Sequence, residues 1–238
     1  MKRRHLALAL LALAACGEDR RAAAPAAAQP AARSWVAPPR LDTVGRGDGG
    51  SLIFQGRAER GARIALRDPS GAAFATSADD QGRFELRMAA PQADLLLTPE
   101  VQLGQEASPS PERLLVLAGG AGPVALVSPG APARRLDRPG PLASVDSDGQ
   151  GLLLSGAAQP HEVIMVTVDG QAFQTRADSA GRWLVSGPEA AAADVQVGGR
   201  IYAYPGPVGG SAASRAGQGW AVAWTAPDGA RQWTWLPD

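Results

Sequence analysis

Histidine and cysteine, which are frequent in catalytic sites, are scarce in this 238-residue chain, which has two histidines and one cysteine. His161 is the only histidine after position 5, and it follows Pro160 in a segment with loop composition. A histidine base needs an orienting partner and a nucleophile, and neither a Gly-x-Ser-x-Gly motif nor a metal-binding spacing of His and Cys occurs in the chain. We therefore predict that the protein is not an enzyme. The alternative is an accessory hydrolase or peptidase component that uses His161.

One acidic segment has the start of a calcium-binding loop. Asp146 and Asp148 flank Ser147 and precede Gly149, and carboxylates at alternate positions can face one ion. The next residues, 150–152, are Gln, Gly and Leu and supply no later acidic ligand. Asp-Gly pairs are common in turns. We therefore predict a turn here, with no metal and no other cofactor.

Aromatic residues are concentrated in the second half of the chain, where they could form a ligand-binding surface. Tryptophan and tyrosine dominate surfaces that stack on sugars or seat partners. Because side chains alternate along a strand, several of these rings share a face. Core packing is the alternative, and we expect it for most of them, since one face of each sheet must be buried. The candidate ligand-binding residues are Tyr202, Tyr204, Trp220, Trp224, Trp233 and Trp235.

The only cysteine, Cys16, ends an N-terminal signal. Three basic residues at 2–4 precede an apolar run from Leu6 to Ala15, which is typical of a secretory signal and too short to span a bilayer. The segment Leu-Ala-Ala-Cys at 13–16 resembles the bacterial lipobox. The resemblance implies that residues 1–15 are removed and that Cys16 is acylated with several chains, which would anchor the protein stably. In lipoproteins of this type an Asp directly after the cysteine tends to retain the protein in the inner membrane, so with Gly17 at this position the resemblance implies the outer membrane.

Composition restricts the partners of the mature chain. Loss of the only lysine, Lys2, together with Arg3 and Arg4 turns an equal number of basic and acidic groups into a slight acidic excess. Nucleic-acid binding needs a clustered basic face, so we predict no nucleic-acid partner. Residues 16–34 are rich in Ala and Pro and have almost no large apolar side chains, which predicts a flexible tether. The expected partners are the membrane, through the lipid anchor, and an envelope glycan or envelope protein.

An internal repeat organises the remainder of the chain. Residues 47–86 run parallel to residues 147–185, with Gly56 matching Gly156, and with Asp79-x-x-Gly-Arg-Phe matching Asp178-x-x-Gly-Arg-Trp. Residues 123–131 likewise resemble 221–230, so that Leu126 corresponds to Trp224. Two copies of ordinary domain size account for the chain beyond the tether. We predict domains at 35–138 and 139–238.

Both copies have the pattern of β-sandwiches. Short apolar or alternating runs are separated by turn signals such as Asp169-Gly170. Further hairpin turns are predicted at 197–200 in the second copy and at 98–100 in the first. Strands of four to seven residues at this spacing predict an all-β fold of two sandwiches and disfavour a helical or α/β fold.

The first half of each copy resembles the bacterial immunoglobulin-like domains of tandem surface proteins. The shared pattern is a Gly-x-Ala opening, an Asp-x-x-Gly or Asp-Gly turn, and an Asp-x-x-Gly turn followed by an aromatic strand. It runs from Gly56 to Phe84 in copy 1 and from Gly156 to Trp183 in copy 2. The resemblance implies an immunoglobulin-like topology and a role as a spacer or a binding module, although the fold alone does not select between them.

Together these features predict a lipid-anchored cell-envelope protein, located at the outer membrane, that acts as a non-catalytic structural or binding module. A glycan-binding module that uses the aromatic residues of copy 2 is the second hypothesis.

Overall fold

The computed structural model describes residues 36–210 and 213–238, which belong to one compact unit, Val36–Asp238. The predicted signal, the lipidation site Cys16 and the tether lie outside the described residues. Within the described ranges no helix is long and apolar enough to cross a membrane. We call residues 36–138 the first lobe and residues 139–238 the second lobe.

Twenty strands account for most of the described chain, and two short 3-10 turns lie at Asp48–Gly50 and Ala118–Gly120. The strands of the first lobe are β1 Arg40–Arg46, β2 Leu52–Arg57, β3 Arg63–Arg67, β4 Ala73–Ser77, β5 Arg83–Met88, β6 Leu95–Leu103, β7 Glu106–Pro109, β8 Arg113–Val116, β9 Val124–Ser128 and β10 Ala131–Arg135. Those of the second lobe are β11 Ser144–Ser147, β12 Gly151–Ala157, β13 Val163–Val168, β14 Gln171–Arg176, β15 Arg182–Pro188, β16 Ala193–Val197, β17 Arg200–Tyr204, β18 Ser214–Arg215, β19 Gly219–Thr225 and β20 Arg231–Pro237.

These strands form four antiparallel sheets, two in each lobe. In the first lobe the orders are β1-β2-β5 and β10-β9-β8-β6-β3-β4, with β7 paired to β6. In the second lobe they are β15-β12-β11-β20-β19-β18 and β14-β13-β16-β17. The prediction of an all-β sandwich fold is therefore confirmed. The immunoglobulin-like assignment, the duplication and the domain limits remain predictions.

Alternation of buried and exposed side chains decides which face of each strand enters a core. In β5, for example, Phe84, Leu86 and Met88 are buried while the residues between them are exposed. Each lobe has its own buried apolar cluster: one extends from Leu41 to Leu136 and the other from Leu142 to Trp235. Each cluster is enclosed by the sheets of its own lobe, as expected for sandwiches.

The two lobes share a local arrangement that the repeat pattern pointed to. Gly56 lies opposite Phe84 across β2 and β5, and Gly156 lies opposite Trp183 across β12 and β15. A Cβ atom on Gly56 would lie 2.6 Å from the Phe84 ring, and one on Gly156 would lie 2.4 Å from the Trp183 ring. Only glycine leaves room for an aromatic ring over the strand at this position.

The aspartate turn before each aromatic strand is also shared. The carboxylate of Asp79 accepts hydrogen bonds from the backbone N–H groups of Gln81 and Arg83, at 2.9 and 2.8 Å. Asp178 accepts the corresponding bonds from Ala180 and Arg182, at 2.8 and 2.9 Å. These backbone bonds are the largest cause that lowers the pKa of each aspartate.

One predicted turn is wrong. Residues 98–100 lie inside the nine-residue strand β6, and the hairpin turns instead at Gly104, whose φ is +60°. Residues 95–97 of β6 pair with β8, whereas residues 98–102 pair with β3. Pro99 therefore lies beside the point where β6 changes partners, a position at which an irregular ladder tolerates a residue without an N–H group. The matching prediction at 197–200 is confirmed, because Gly198 and Gly199 join β16 to β17.

A third apolar cluster lies between the two lobes. Its first-lobe members come from β8, β9 and β10 and the residues that follow β8, and its second-lobe members come from β19 and β20 and the residue after β19. The buried residues are Leu115, Leu117, Ala125, Val127 and Ala133 on one side, and Val222, Trp224, Ala226 and Leu236 on the other. Burial of these side chains holds the lobes against one another.

Candidate functional site

Four of the six predicted ligand-binding aromatics are enclosed in apolar cores. Tyr202, Tyr204 and Trp235 belong to the core of the second lobe, where the rings of Tyr204 and Trp235 meet edge to face with centroids 6.0 Å apart. Trp224 belongs to the cluster between the lobes. Burial also raises the pKa of the Tyr204 hydroxyl. These rings take the packing role that the sequence analysis weighed against ligand binding.

The other two rings, Trp220 and Trp233, are half-buried and each is covered by an arginine. The guanidinium carbon of Arg215 lies 5.3 Å from the centroid of the Trp220 ring, and that of Arg231 lies 5.5 Å from Trp233. Both distances are in the range of cation–π contacts. The indole of Trp233 also donates to the Val208 carbonyl at 3.0 Å. A ligand would therefore meet an arginine stacked on a ring at these sites.

His161 is exposed on the loop between β12 and β13. Its backbone adopts φ +65°, and the corresponding residue of the first lobe, Gly61, adopts φ +72°. The His161 carbonyl accepts a hydrogen bond from Arg176 at 2.8 Å. Both lobes thus have a residue in the left-handed conformation at this point of the loop, and glycine adopts that conformation without strain.

Asp146 and Asp148 lie in quite different surroundings. Asp148 is exposed and accepts bonds from the backbone N–H groups of Gln150 and Gly151 at 2.9 and 3.2 Å, which is a turn contact. Asp146 faces the first lobe, and its carboxylate accepts from the backbone N–H of Ala133 at 2.8 Å. Among the described residues, no three His, Cys, Asp or Glu side chains are grouped so as to hold a metal ion.

The partly buried carboxylate of Asp146 is the centre of a polar contact between the lobes. The hydroxyls of Ser144 and Thr234 donate to it at 2.7 Å each, and the Trp224 indole donates to Thr234 at 3.2 Å. Burial raises the pKa of Asp146 to about 6, although its hydrogen bonds act in the opposite direction. The three groups that donate to the Asp146 carboxylate therefore all belong to the protein itself.

A cleft of about 890 Å³ opens where the lobes meet. We call it the arginine cleft. The first lobe contributes residues 43–46, parts of 118–123 and residues 135–138, and the second lobe contributes Arg215, Trp220 and Asp238. Four arginines and two aspartates line it. Those charged residues are Arg46, Arg135, Arg138, Arg215, Asp137 and Asp238.

Two of the four arginines are held in ion pairs. Arg135 binds Asp137 through two bonds of 2.6 and 2.7 Å and is nearly enclosed. Arg215 binds Asp238 through two bonds of 2.7 and 2.8 Å, which is the main cause that lowers the pKa of Asp238 and raises that of Arg215. These pairs neutralise both aspartates and fix the Arg215 plane on Trp220.

The two other arginines carry the positive charge of the arginine cleft. Arg46 donates through Nε and Nη2 to the carbonyls of Gly120 and Gly122, at 2.9 and 2.8 Å, which fixes its position. Arg138 is exposed, and no hydrogen bond or ion pair ties it to any described residue. Positively charged clefts of this kind attract anionic ligands over several ångströms.

Sequence reasoning missed these arginines. The signal that could have found them is the dense group of arginines at 134, 135 and 138, at the end of the first lobe, in a chain whose only lysine is Lys2. The arginine guanidinium binds carboxylates through two parallel bonds, which lysine cannot do.

Comparison with known proteins yields little. No protein family matches the chain, and no curated protein matches it. Among solved structures it is similar to a Ca²⁺-stabilized adhesin that helps an Antarctic bacterium reach out and bind ice, with 10% identity over 84% of this chain and a TM-score of 0.22. The match spans 49% of that adhesin chain. Likeness at this TM-score carries no argument about fold or function.

Proposed function

We propose that the protein is a non-catalytic binding module of the cell envelope and that the arginine cleft takes an acidic glycan. The observation that carries the proposal is that an uncompensated guanidinium, Arg138, and the Arg215–Trp220 stack line the same cleft. Its volume of about 890 Å³ is within the range of ligand sites.

The side chains of the arginine cleft suit binding rather than turnover. Arginine stays protonated and donates only, so it can hold an anion but cannot accept a proton. Asp137 and Asp238 are each engaged by an arginine through two bonds. The charged groups thus offer donors at Arg46 and Arg138, beside the flat stack of Arg215 on Trp220. A uronic acid presents a carboxylate and a ring to such a surface.

The envelope location rests on the sequence of the N-terminus. Acylation of Cys16 would anchor the chain, and residues 17–34 would allow the lobes to reach ligands at a distance from the bilayer, at most about 50 Å for a fully extended chain. A lipid anchor and a rigid two-lobed binding unit together fit a protein that holds envelope polymers near a membrane.

Calorimetric titration with alginate, a polyuronate, and with neutral dextran of matched length tests the proposal. We expect alginate to bind with an affinity that falls as salt is added, because screening weakens exposed charges. Arg138→Gln should weaken binding about tenfold, the loss of one charge-assisted contact. Arg200→Gln, at an exposed arginine on β17, is the matched control and should bind as the unaltered protein does. Equal binding of dextran, or unchanged binding by Arg138→Gln, would refute the proposal.

A further inference from the structure

A second cleft, of about 500 Å³, also lies between the lobes, and we call it the Arg134 cleft. The first lobe contributes Glu112 and residues 132–135 of β10, and the second lobe contributes parts of β12, β14 and β15. The volume suits a ligand the size of a monosaccharide. Neither the predicted aromatic site nor the arginine cleft accounts for this cavity.

Arg134 is a half-buried cation without a counter-ion. Its Nη2 donates to the Leu41 carbonyl at 2.6 Å, and no carboxylate of the described residues lies within ion-pair distance of it. Burial is the largest cause of its lowered pKa, against the opposing influence of Glu112. A guanidinium has five N–H donors, so most of those on Arg134 are available to a ligand.

The neighbouring acids are already committed or too distant to pair with Arg134. Asp42 is bound by Arg40 at 2.9 Å and faces Arg57 at 3.7 Å. Asp178 is bound by Arg182 at 2.9 Å. Glu112 influences Arg134 without forming an ion pair. The cleft is therefore a partly desolvated positive site. The electrostatic attraction between an anion and Arg134 is stronger there than it would be at an exposed arginine.

An orphan donor borders the same cleft. The indole Nε1 of Trp183 is buried and has no hydrogen-bond partner among the described residues. The ring is fixed, because its Cζ2 and Cε2 edge lies directly over Gly156, where a Cβ would come within 2.4 and 2.6 Å. Buried indole N–H groups usually have an acceptor, so the unpaired Trp183 group marks this ring as unusual and makes its N–H signal a reporter of a ligand placed against the ring.

The first lobe provides an internal comparison. Its corresponding cavity, about 610 Å³, is lined by Gly56, Asp79, Arg83 and Phe84, the counterparts of Gly156, Asp178, Arg182 and Trp183. Phe84 has no N–H donor, and no residue of the 132–135 segment closes that cavity. The cation Arg134 and the indole donor are thus features of the second-lobe cleft.

We propose that the Arg134 cleft binds a small organic carboxylate the size of a sugar acid, with the carboxylate on the Arg134 guanidinium and the ligand against the Trp183 ring, which lines the cleft. The planar guanidinium matches a carboxylate through two parallel bonds. The ligand then contacts both lobes at once. Arg135 lines both clefts, but Arg138 lines the arginine cleft and Arg134 lines this one, so variants of these two residues distinguish the failure of one proposal from that of the other.

Nuclear magnetic resonance of the indole N–H groups tests this directly, with glucuronate as the probe and glucose as the neutral counterpart. The Trp183 signal is assigned by its absence in Trp183→Phe, which introduces the residue of the first lobe. We expect glucuronate to shift the Trp183 signal saturably and glucose to leave it in place. Arg134→Gln should weaken glucuronate binding at least about tenfold, whereas Arg83→Gln, in the first-lobe cavity, should not.

Three results would overturn the proposal: no movement of the Trp183 signal at millimolar glucuronate, an equal shift with glucose, or unchanged affinity in Arg134→Gln. Arg134 also bonds to Leu41, so the fold of each variant is checked by thermal unfolding. Should Arg134→Gln fail to fold, Arg134→Lys retains the charge but not the two-pronged geometry. It should then bind glucuronate several-fold more weakly, and equal binding would refute the assigned contact.

Discussion

Asp146 should make the stability of the protein depend on pH. Burial raises the pKa of this carboxyl from 3.8 to about 6, and the unfolded chain retains the lower value. Between these two values the folded protein holds a proton that the unfolded chain releases. The contribution of Asp146 is therefore most favourable below about pH 4, and it is lost as the pH rises through 6.

The magnitude follows from the size of the shift. One pKa unit corresponds to about 1.4 kcal/mol, so a rise from 3.8 to about 6 makes the ionised form of Asp146 cost about 3 kcal/mol at neutral pH. Asparagine has the same shape and never ionises. At pH 4 the unfolded chain is already partly ionised, so the free energy of unfolding of Asp146→Asn, relative to the unaltered protein, should rise by about 2 kcal/mol between pH 4 and pH 7.

Urea unfolding followed by tryptophan fluorescence at pH 4, 5, 6 and 7 measures this difference. Asp148→Asn removes a carboxylate that is exposed two residues further on, and it corrects for the general effect of losing one negative charge. The reasoning fails if the difference between Asp146→Asn and the unaltered protein is constant over this range. It fails equally if the difference grows as the pH falls.

Two further predictions concern a glycine and the anchor. Gly156→Ala should destabilise the protein by about 3 kcal/mol or more, because the new Cβ would lie 1.8 Å from the Pro141 carbonyl oxygen. Gly187→Ala, whose nearest contact would be 3.7 Å, should change the free energy of unfolding by no more than about 0.5 kcal/mol in the same urea experiment, and equal losses would contradict the steric argument. Cys16→Ser should remove the acyl chains and release the protein from the membrane fraction, as judged by mass spectrometry and fractionation. Persistent membrane association of an unacylated variant would disprove the lipid anchor.

The strand content could be predicted from the sequence because its causes are local. Alternation in segments such as Arg83–Met88 and turns such as Asp178–Gly181 involve residues a few positions apart, and these elements form as expected. The left-handed position shared by Gly61 and His161 is equally local. The turn predicted at Pro99 from local composition was wrong, because pairing of β6 with the distant strands β3 and β8 keeps this segment extended.

The environment of each individual ring could not be predicted from the sequence. Alternation along a strand shows which side chains share a face of the sheet, but it does not show what packs against that face. Leu126 and Trp224 correspond in the repeat, yet Leu126 packs in the core of the first lobe and Trp224 packs between the lobes. Both clefts also require residues from the two lobes. Arg134 and Trp183, for instance, are 49 positions apart and line the same cavity.

The sequence by itself determined the all-β architecture and the aspartate turns, because these features depend on neighbours along a strand or a hairpin. Only the tertiary structure decided that a glycine would lie beneath each aromatic ring, that the Asp146 carboxylate would be partly buried against Ala133, and that arginines would line the clefts between the lobes. Packing between distant segments decides how far a charged side chain is removed from water and whether it finds a counter-ion. No local sequence pattern encodes either property.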